Sequence, residues 1–133
     1  MTTAKQAILV ADDYPATLRL LSRALEIEGY RVVTAHDAAT VLKLISEEKS
    51  LALVVLGIDE VKQPSTEICR RLREVSDLPV IILSARNKES DIASGLDAGA
   101  DEYIMKPFNI GEFVAQVKAV LRRYNLSLRL KES

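Results

Sequence analysis

LALVVL, Leu51–Leu56, ended by Gly57, is the most apolar run in the chain, and its reading decides the fold. Its apolar residues are continuous rather than alternating, which is how a strand buried on both faces reads. Four similar runs recur at roughly regular intervals: AILVA at 7–11, RVVTA at 31–35, VIIL at 80–83 and YIM at 103–105. Between them lie amphipathic segments. Leu18, Leu21, Ala24 and Leu25 mark the apolar face of a first helix, with Pro15 suited to its first turn and Gly29 to its C-terminal cap. Val41, Leu42 and Ile45 mark a second; Ile68, Cys69 and Leu72 a third; Ile92, Ala93 and Leu96 a fourth, closed near Gly99; Phe113, Val117, Val120 and Leu121 a fifth.

Strand and helix thus alternate five times, which specifies an α/β domain with a parallel sheet covered on both faces. Right-handed crossovers leave few topologies. The expected one is a doubly wound (βα)5 sheet of flavodoxin-like strand order 2-1-3-4-5, as a single domain over residues 1–124. Residues 125–133 carry Leu126, Leu128 and Leu130 among polar residues, and read as a tail or the start of a linker; a helix extension and a short strand stay open. Ligands of such sheets bind beyond the carboxyl ends of the strands. There the chain places Asp12 and Asp13, Gly57, Ser84 and Lys106. Two carboxylates, a hydroxyl and an ammonium would converge around a residue with no side chain.

Composition narrows the setting. The 133 residues hold 48% hydrophobic and 28% charged residues, ordinary for a soluble domain. With 18 basic and 19 acidic residues the formal charge is −1, so no sequence-wide drive toward nucleic acid or anionic membrane exists. No apolar stretch approaches the ~20 residues of a membrane span. Residues 1–6 are short and polar and do not read as a signal peptide. One cysteine and one histidine, Cys69 and His36, exclude an intrachain disulfide and a cysteine- or histidine-rich metal cluster. A reducing cytoplasm is the expected compartment. Cys69 reads as a small core residue, His36 as a surface residue, and Arg70, Arg71 and Arg73 as the solvated face of the third helix.

Each polar corner has an ordinary reading alone. An aspartate after a strand can cap the next helix. Ser84 can be a turn residue, and Lys106-Pro107 a strand-end turn. Their joint placement at the ends of strands one, four and five argues for a common site. With its motifs ILVADD at 8–13, ILSA at 82–85, EICRRLRE at 67–74 and GLDAGADEYIMKPF at 95–108, the chain resembles the receiver domains of two-component response regulators from Ile8 to about Arg123.

In that family an aspartate at the end of strand three accepts a phosphoryl group, with Mg²⁺ held by the two acids after strand one. The resemblance implies that Asp12 and Asp13 are the metal acids, with the backbone carbonyl of Asp59 as a further ligand. Ser84 would hydrogen-bond a phosphoryl oxygen, and Lys106 would pair with the same group. Tyr103 matches the aromatic that turns inward with the serine, and Lys106-Pro107 matches the family's cis peptide bond.

The departure is at the acceptor. Gly57 stands where the aspartate belongs, and it offers neither a nucleophile nor a metal ligand. Val61 stands where the family usually has proline, and Ser65 where it usually has glycine, which reads as drift of the whole loop. Asp59 would lie roughly 6–7 Å farther along an extended chain, so it reads as a solvated loop acid rather than a substitute nucleophile. Mg²⁺ binding is expected to be weak or absent.

The expected function is therefore a receiver-like module of a two-component phosphorelay that is not phosphorylated at the usual site, is not an enzyme, and acts by protein–protein contact. Its partners would be a sensor histidine kinase or a downstream effector, with no direct nucleic-acid binding and no membrane. Asp97, Asp101, Glu112, Lys118 and Arg122 resemble the charges through which many receivers dimerise by helix four, strand five and helix five. Gln116 breaks that match, and ordinary surface charge stays open as the other reading. The alternative function is a phosphorylation-competent receiver using Asp59, Asp12 or Asp13. A flavin-binding flavodoxin relative is disfavoured, because Asp12-Asp13 repels phosphate.

Overall fold

A computed structural model describes residues 6–132; the sequence reading of residues 1–6 falls almost entirely outside them, as does Ser133. Five strands and five helices alternate: β1 (Ala7–Asp12), α1 (Pro15–Ile27), β2 (Arg31–Ala35), α2 (Ala38–Glu47), β3 (Leu51–Gly57), α3 (Ser65–Arg73), β4 (Val80–Ser84), α4 (Glu89–Asp97), β5 (Glu102–Met105) and α5 (Ile110–Glu132). The strands form one parallel sheet in the order β2-β1-β3-β4-β5. This is the doubly wound fold expected from the runs.

Alternate residues of the buried strands face opposite layers. Ile8, Val10, Leu53, Val55, Ile81 and Leu83 pack against Leu21 and Leu25 of α1 and Phe113, Val117, Val120 and Leu121 of α5. Leu9, Val54, Leu56 and Ile82 face Val41 of α2 and Ile68, Cys69 and Leu72 of α3. A fully buried Leu, Ile or Val of this kind stabilises by about 2 kcal/mol. β1, β3 and β4 are central and almost wholly buried, while β2 and β5, the edges, are partly exposed.

Local chemistry sets the element ends. Pro15 opens α1, and Gly29 takes φ +95° just beyond it, where a Cβ would strain the backbone. The Asp37 carboxylate caps α2 by accepting from the Thr40 N–H at 2.7 Å. Those hydrogen bonds, from Thr40, hold the Asp37 carboxyl below its ordinary range.

Two expectations need correction. First, α4 does not bury Ala93 and Leu96: both are exposed, and Gly95 is the buried position. The Tyr103 ring takes the space over Gly95, where an added Cβ would lie 2.8 Å from Cδ2, so the helix turns its smallest residue inward. Second, Arg73 is not on a solvated face. Its guanidinium donates to Gly99 O at 2.8 Å and Leu78 O at 2.6 Å, and pairs with Asp101 at 3.2 Å, tying α3 to the turns before β4 and β5. Residues 125–132 continue α5 to Glu132, the helix extension that the sequence left open.

Candidate functional site

The sheet register fixes the centre of the site. Asp12 pairs with Gly57 across β1 and β3, and Ser84 with Met105 across β4 and β5, so all four strand ends lie at one edge. Lys106 follows β5, and its peptide bond to Pro107 is cis. Asp12, Asp13, Gly57, Asp59, Ser84 and Lys106 are brought together there.

Asp12 is fully buried. Its Oδ1 accepts from the Tyr14 N–H at 2.9 Å, and its Oδ2 lies 3.1 Å from Lys106 Nζ. Oδ2 makes no well-aligned hydrogen bond, so that contact is an ion pair. Burial raises the Asp12 pKa above the ordinary carboxylate value, opposed by the Tyr14 N–H and by Lys106. The same Oδ2 occupies the space beside Gly57: a Cβ on Gly57 would overlap it and would lie 3.1 Å from Ala11 O.

Lys106 is enclosed on several sides. Besides Asp12, its Nζ donates to Gly57 O at 3.2 Å, stands 3.8 Å from Asp59 Oδ2, and lies 5.5 Å from the centre of the Tyr14 ring. Tyr14 carried no signal in the sequence beyond its place after two aspartates.

Asp59 is not a solvated loop acid. Its side chain is 22% exposed and turned back into the site. Ser84 Oγ donates to Oδ1 at 2.6 Å, and the Ala85 N–H donates to Oδ2 at 3.4 Å. The Asp59 N–H donates to Asp13 Oδ2 at 3.1 Å. The extended-chain estimate failed because the chain bends after Gly57. Ile58 is fully buried, and Ser65 Oγ accepts from its N–H at 2.9 Å and donates to its C=O at 2.8 Å. Ser65, read as a sign of drift, pins that bend. Serine supplies both donor and acceptor, so the pairing was latent in its chemistry, but only the fold brings Ile58 to it.

Ser84, Arg86 and Tyr103 form a connected line. Ser84 Oγ also accepts from the Arg86 N–H at 3.1 Å, and the Tyr103 hydroxyl donates to Arg86 O at 2.7 Å. Tyr103 is half-buried and packs on Ile82 and Gly95. Among the expected interface charges, Asp101 pairs with Arg73 and accepts from the Val80 N–H at 2.8 Å. Lys118 pairs with Glu28 of the turn after α1, and that carboxylate raises the lysine's pKa. Both are thus engaged within the chain. Asp97, Glu112 and Arg122 are exposed. Cys69 is buried, burial raises its thiol pKa, and its Sγ lies 3.6 Å from Ala98 O. His36 is exposed.

The donor set fits Mg²⁺ poorly. Magnesium asks for octahedral oxygen ligation at close range. Asp13 Oδ1 is buried without a hydrogen-bond partner, which would suit a cation. Against that, the Lys106 ammonium already meets the charge of Asp12, and Gly57 supplies no carboxylate. Among the described residues no three acidic, histidine or cysteine side chains are grouped to hold a metal.

Residues 8–118 match the response regulator receiver domain family. Response regulator MprA of Mycobacterium ulcerans is 42% identical over 120 residues, which are 90% of this chain and 51% of that protein. MprA of Mycobacterium tuberculosis H37Rv is 43% identical over 117 residues, 87% of this chain and 50% of that protein. The chain thus spans about half the length of these relatives. Among solved structures, a CheY-like receiver domain protein from Methanospirillum hungatei JF-1 superposes with TM-score 0.85 at 28% identity, covering 93% of this chain and 99% of that one. A two-component response regulator from Clostridium difficile also gives 0.85 at 28% identity, covering 91% and 99%. The chain belongs to the response regulator receiver family.

Proposed function

We propose that this receiver domain takes no phosphoryl group at the end of β3 and signals by protein contact through α4, β5 and α5. The observation that carries this reading is Gly57: the acceptor position has no side chain, and the Asp12 carboxylate fills the space one would need. The domain is then not a phosphotransfer enzyme, and Mg²⁺ is weakly bound or absent. Apolar side chains on the contact face support the second half. Leu96 on α4, Met105 on β5 and Ile110 on α5 are 45%, 47% and 36% exposed. A cleft of about 440 Å³ between β5 and α5 is lined by Met105, Pro107, Phe108 and Glu112 among others. Its partner in this reading is a histidine kinase, an effector or a second copy of the domain, in the cytoplasm.

A second reading is favoured by one observation: the Asp59 carboxylate lies inside the site, beside Lys106. Asp59 would then be an alternative acceptor. Its oxygens, however, already hold the Ser84 hydroxyl and the Ala85 N–H, the groups that a phosphoryl oxygen would need. Incubation with acetyl phosphate and Mg²⁺, followed by intact-mass spectrometry, separates the two. An unchanged mass supports the first reading, and an adduct abolished by Asp59→Ala supports the second.

A further inference from the structure

A hydroxyl, a backbone N–H and an ammonium converge on the Asp59 carboxylate: Ser84 Oγ at 2.6 Å, Ala85 N at 3.4 Å and Lys106 Nζ at 3.8 Å. Such a set recognises two oxygens of a carboxylate or phosphate, Ser84 meeting one and Ala85 and Lys106 the other, and a hydrogen bond to an ionised acceptor is about twice as strong as a neutral one. Asp59 is also held from behind, through its N–H to Asp13. We infer that Asp59 is an internal ligand: its carboxylate occupies an oxyanion cradle of Ser84, Ala85 and Lys106, and so holds Tyr103 turned in over Gly95.

The step from cradle to Tyr103 runs through the orientation of the Ser84 hydroxyl, which carries one donor and two acceptor lone pairs. Its hydrogen bond to Asp59 fixes that orientation, and in it the oxygen accepts the Arg86 N–H. The peptide that follows presents Arg86 O to the Tyr103 hydroxyl at 2.7 Å. The tyrosine ring then covers Gly95, where no Cβ intervenes. Asp59 is thus a positioning residue for Tyr103, acting through Ser84 and Arg86. The inference rests on the reading that no phosphoryl group is placed at Gly57, and it makes the inward position of Tyr103 a built-in property rather than a response to phosphate.

A small carboxylate in solution should replace the side chain once it is removed. The full chain is labelled with 3-fluorotyrosine, and the Tyr103 signal is assigned by Tyr103→Phe. Asp59→Ala is expected to shift and broaden the Tyr103 fluorine resonance. Sodium acetate is expected to restore it with saturation, while sodium chloride at equal ionic strength leaves it displaced. Ser84→Ala should displace the same resonance without recovery in acetate. Asp59→Asn keeps the shape without the charge, and is expected to move the resonance part of the way, which guards against a general loss of fold in the alanine variant. A Tyr103 signal unmoved by Asp59→Ala, or moved and not recovered by acetate, overturns the inference. No phosphodonor is present in these samples. A phosphoryl adduct on the wild type in a separate mass measurement would instead defeat the underlying reading, so the two failures are distinguishable.

Discussion

The Asp12 carboxylate lies in the volume that a side chain on Gly57 would require, while its Oδ2 is ion-paired to Lys106 at 3.1 Å. One buried acid therefore both fills the space beside Gly57 and pairs with the nearest cation. Restoring a side chain at Gly57 must displace Asp12 from Lys106.

Gly57→Ala is accordingly expected to destabilise the domain by about 1–3 kcal/mol, the usual range for overpacking a filled site. The cost should shrink when Asp12→Ala is present, because the two residues compete for one space. A urea double-mutant cycle measures this as a coupling energy. Additive losses would show that Asp12 does not fill the Gly57 position.

Lys106→Ala leaves Asp12 buried beside no cation. Removing one partner of a buried ion pair costs on the order of 3 kcal/mol. With the ammonium gone, Asp12 and Asp13 at the end of β1 become a better cation site. Millimolar Mg²⁺ should then raise the melting temperature of Lys106→Ala and leave that of the wild type unchanged. Equal stabilisation of both proteins would show that Lys106 does not stand in for the dication.

Ser65→Ala removes the hydroxyl that serves both polar groups of the buried Ile58. The Ile58 N–H loses its hydroxyl acceptor, at a cost of about 1–3 kcal/mol. The expected signature is a lower urea midpoint with an unchanged slope. A midpoint equal to that of the wild type would deny Ser65 its role in the bend.

Asp37 supplies the pH dependence with the clearest sign. Its folded pKa is depressed by the hydrogen bonds from Thr40, so its contribution is fully present above the unfolded carboxylate value of about 3.9 and is lost as pH falls through the depressed folded value. Asp37→Ala should lower the melting temperature at neutral pH, with the gap narrowing as pH falls below the unfolded value of about 3.9 and through the depressed folded value. A gap that is constant across that window would rule out a charged cap.

Much of the fold was legible because buried parallel strands leave continuous runs, and the ends of those runs named Asp12, Asp13, Gly57, Ser84 and Lys106. Ala93 and Leu96 misled because helical spacing alone did not show which face turns inward, whereas Tyr103 leaves room only for a glycine on the inward face of α4. Asp59 misled for a different reason. Its direction depends on a bend set by Ser65 and Ile58, seven positions apart, and local strand geometry contains no trace of it. Arg73 read as surface charge because its partners, Gly99 and Asp101, are distant in sequence, and the same distance hid Glu28 as the partner of Lys118.

The absence of an acceptor at the end of β3 is tested most directly by weighing the intact wild-type chain after acetyl phosphate and Mg²⁺, alongside Asp59→Ala. The account predicts the mass of the unmodified chain in both samples. A mass increase of one phosphoryl group on the wild type would contradict it, and its loss in Asp59→Ala would identify the residue responsible.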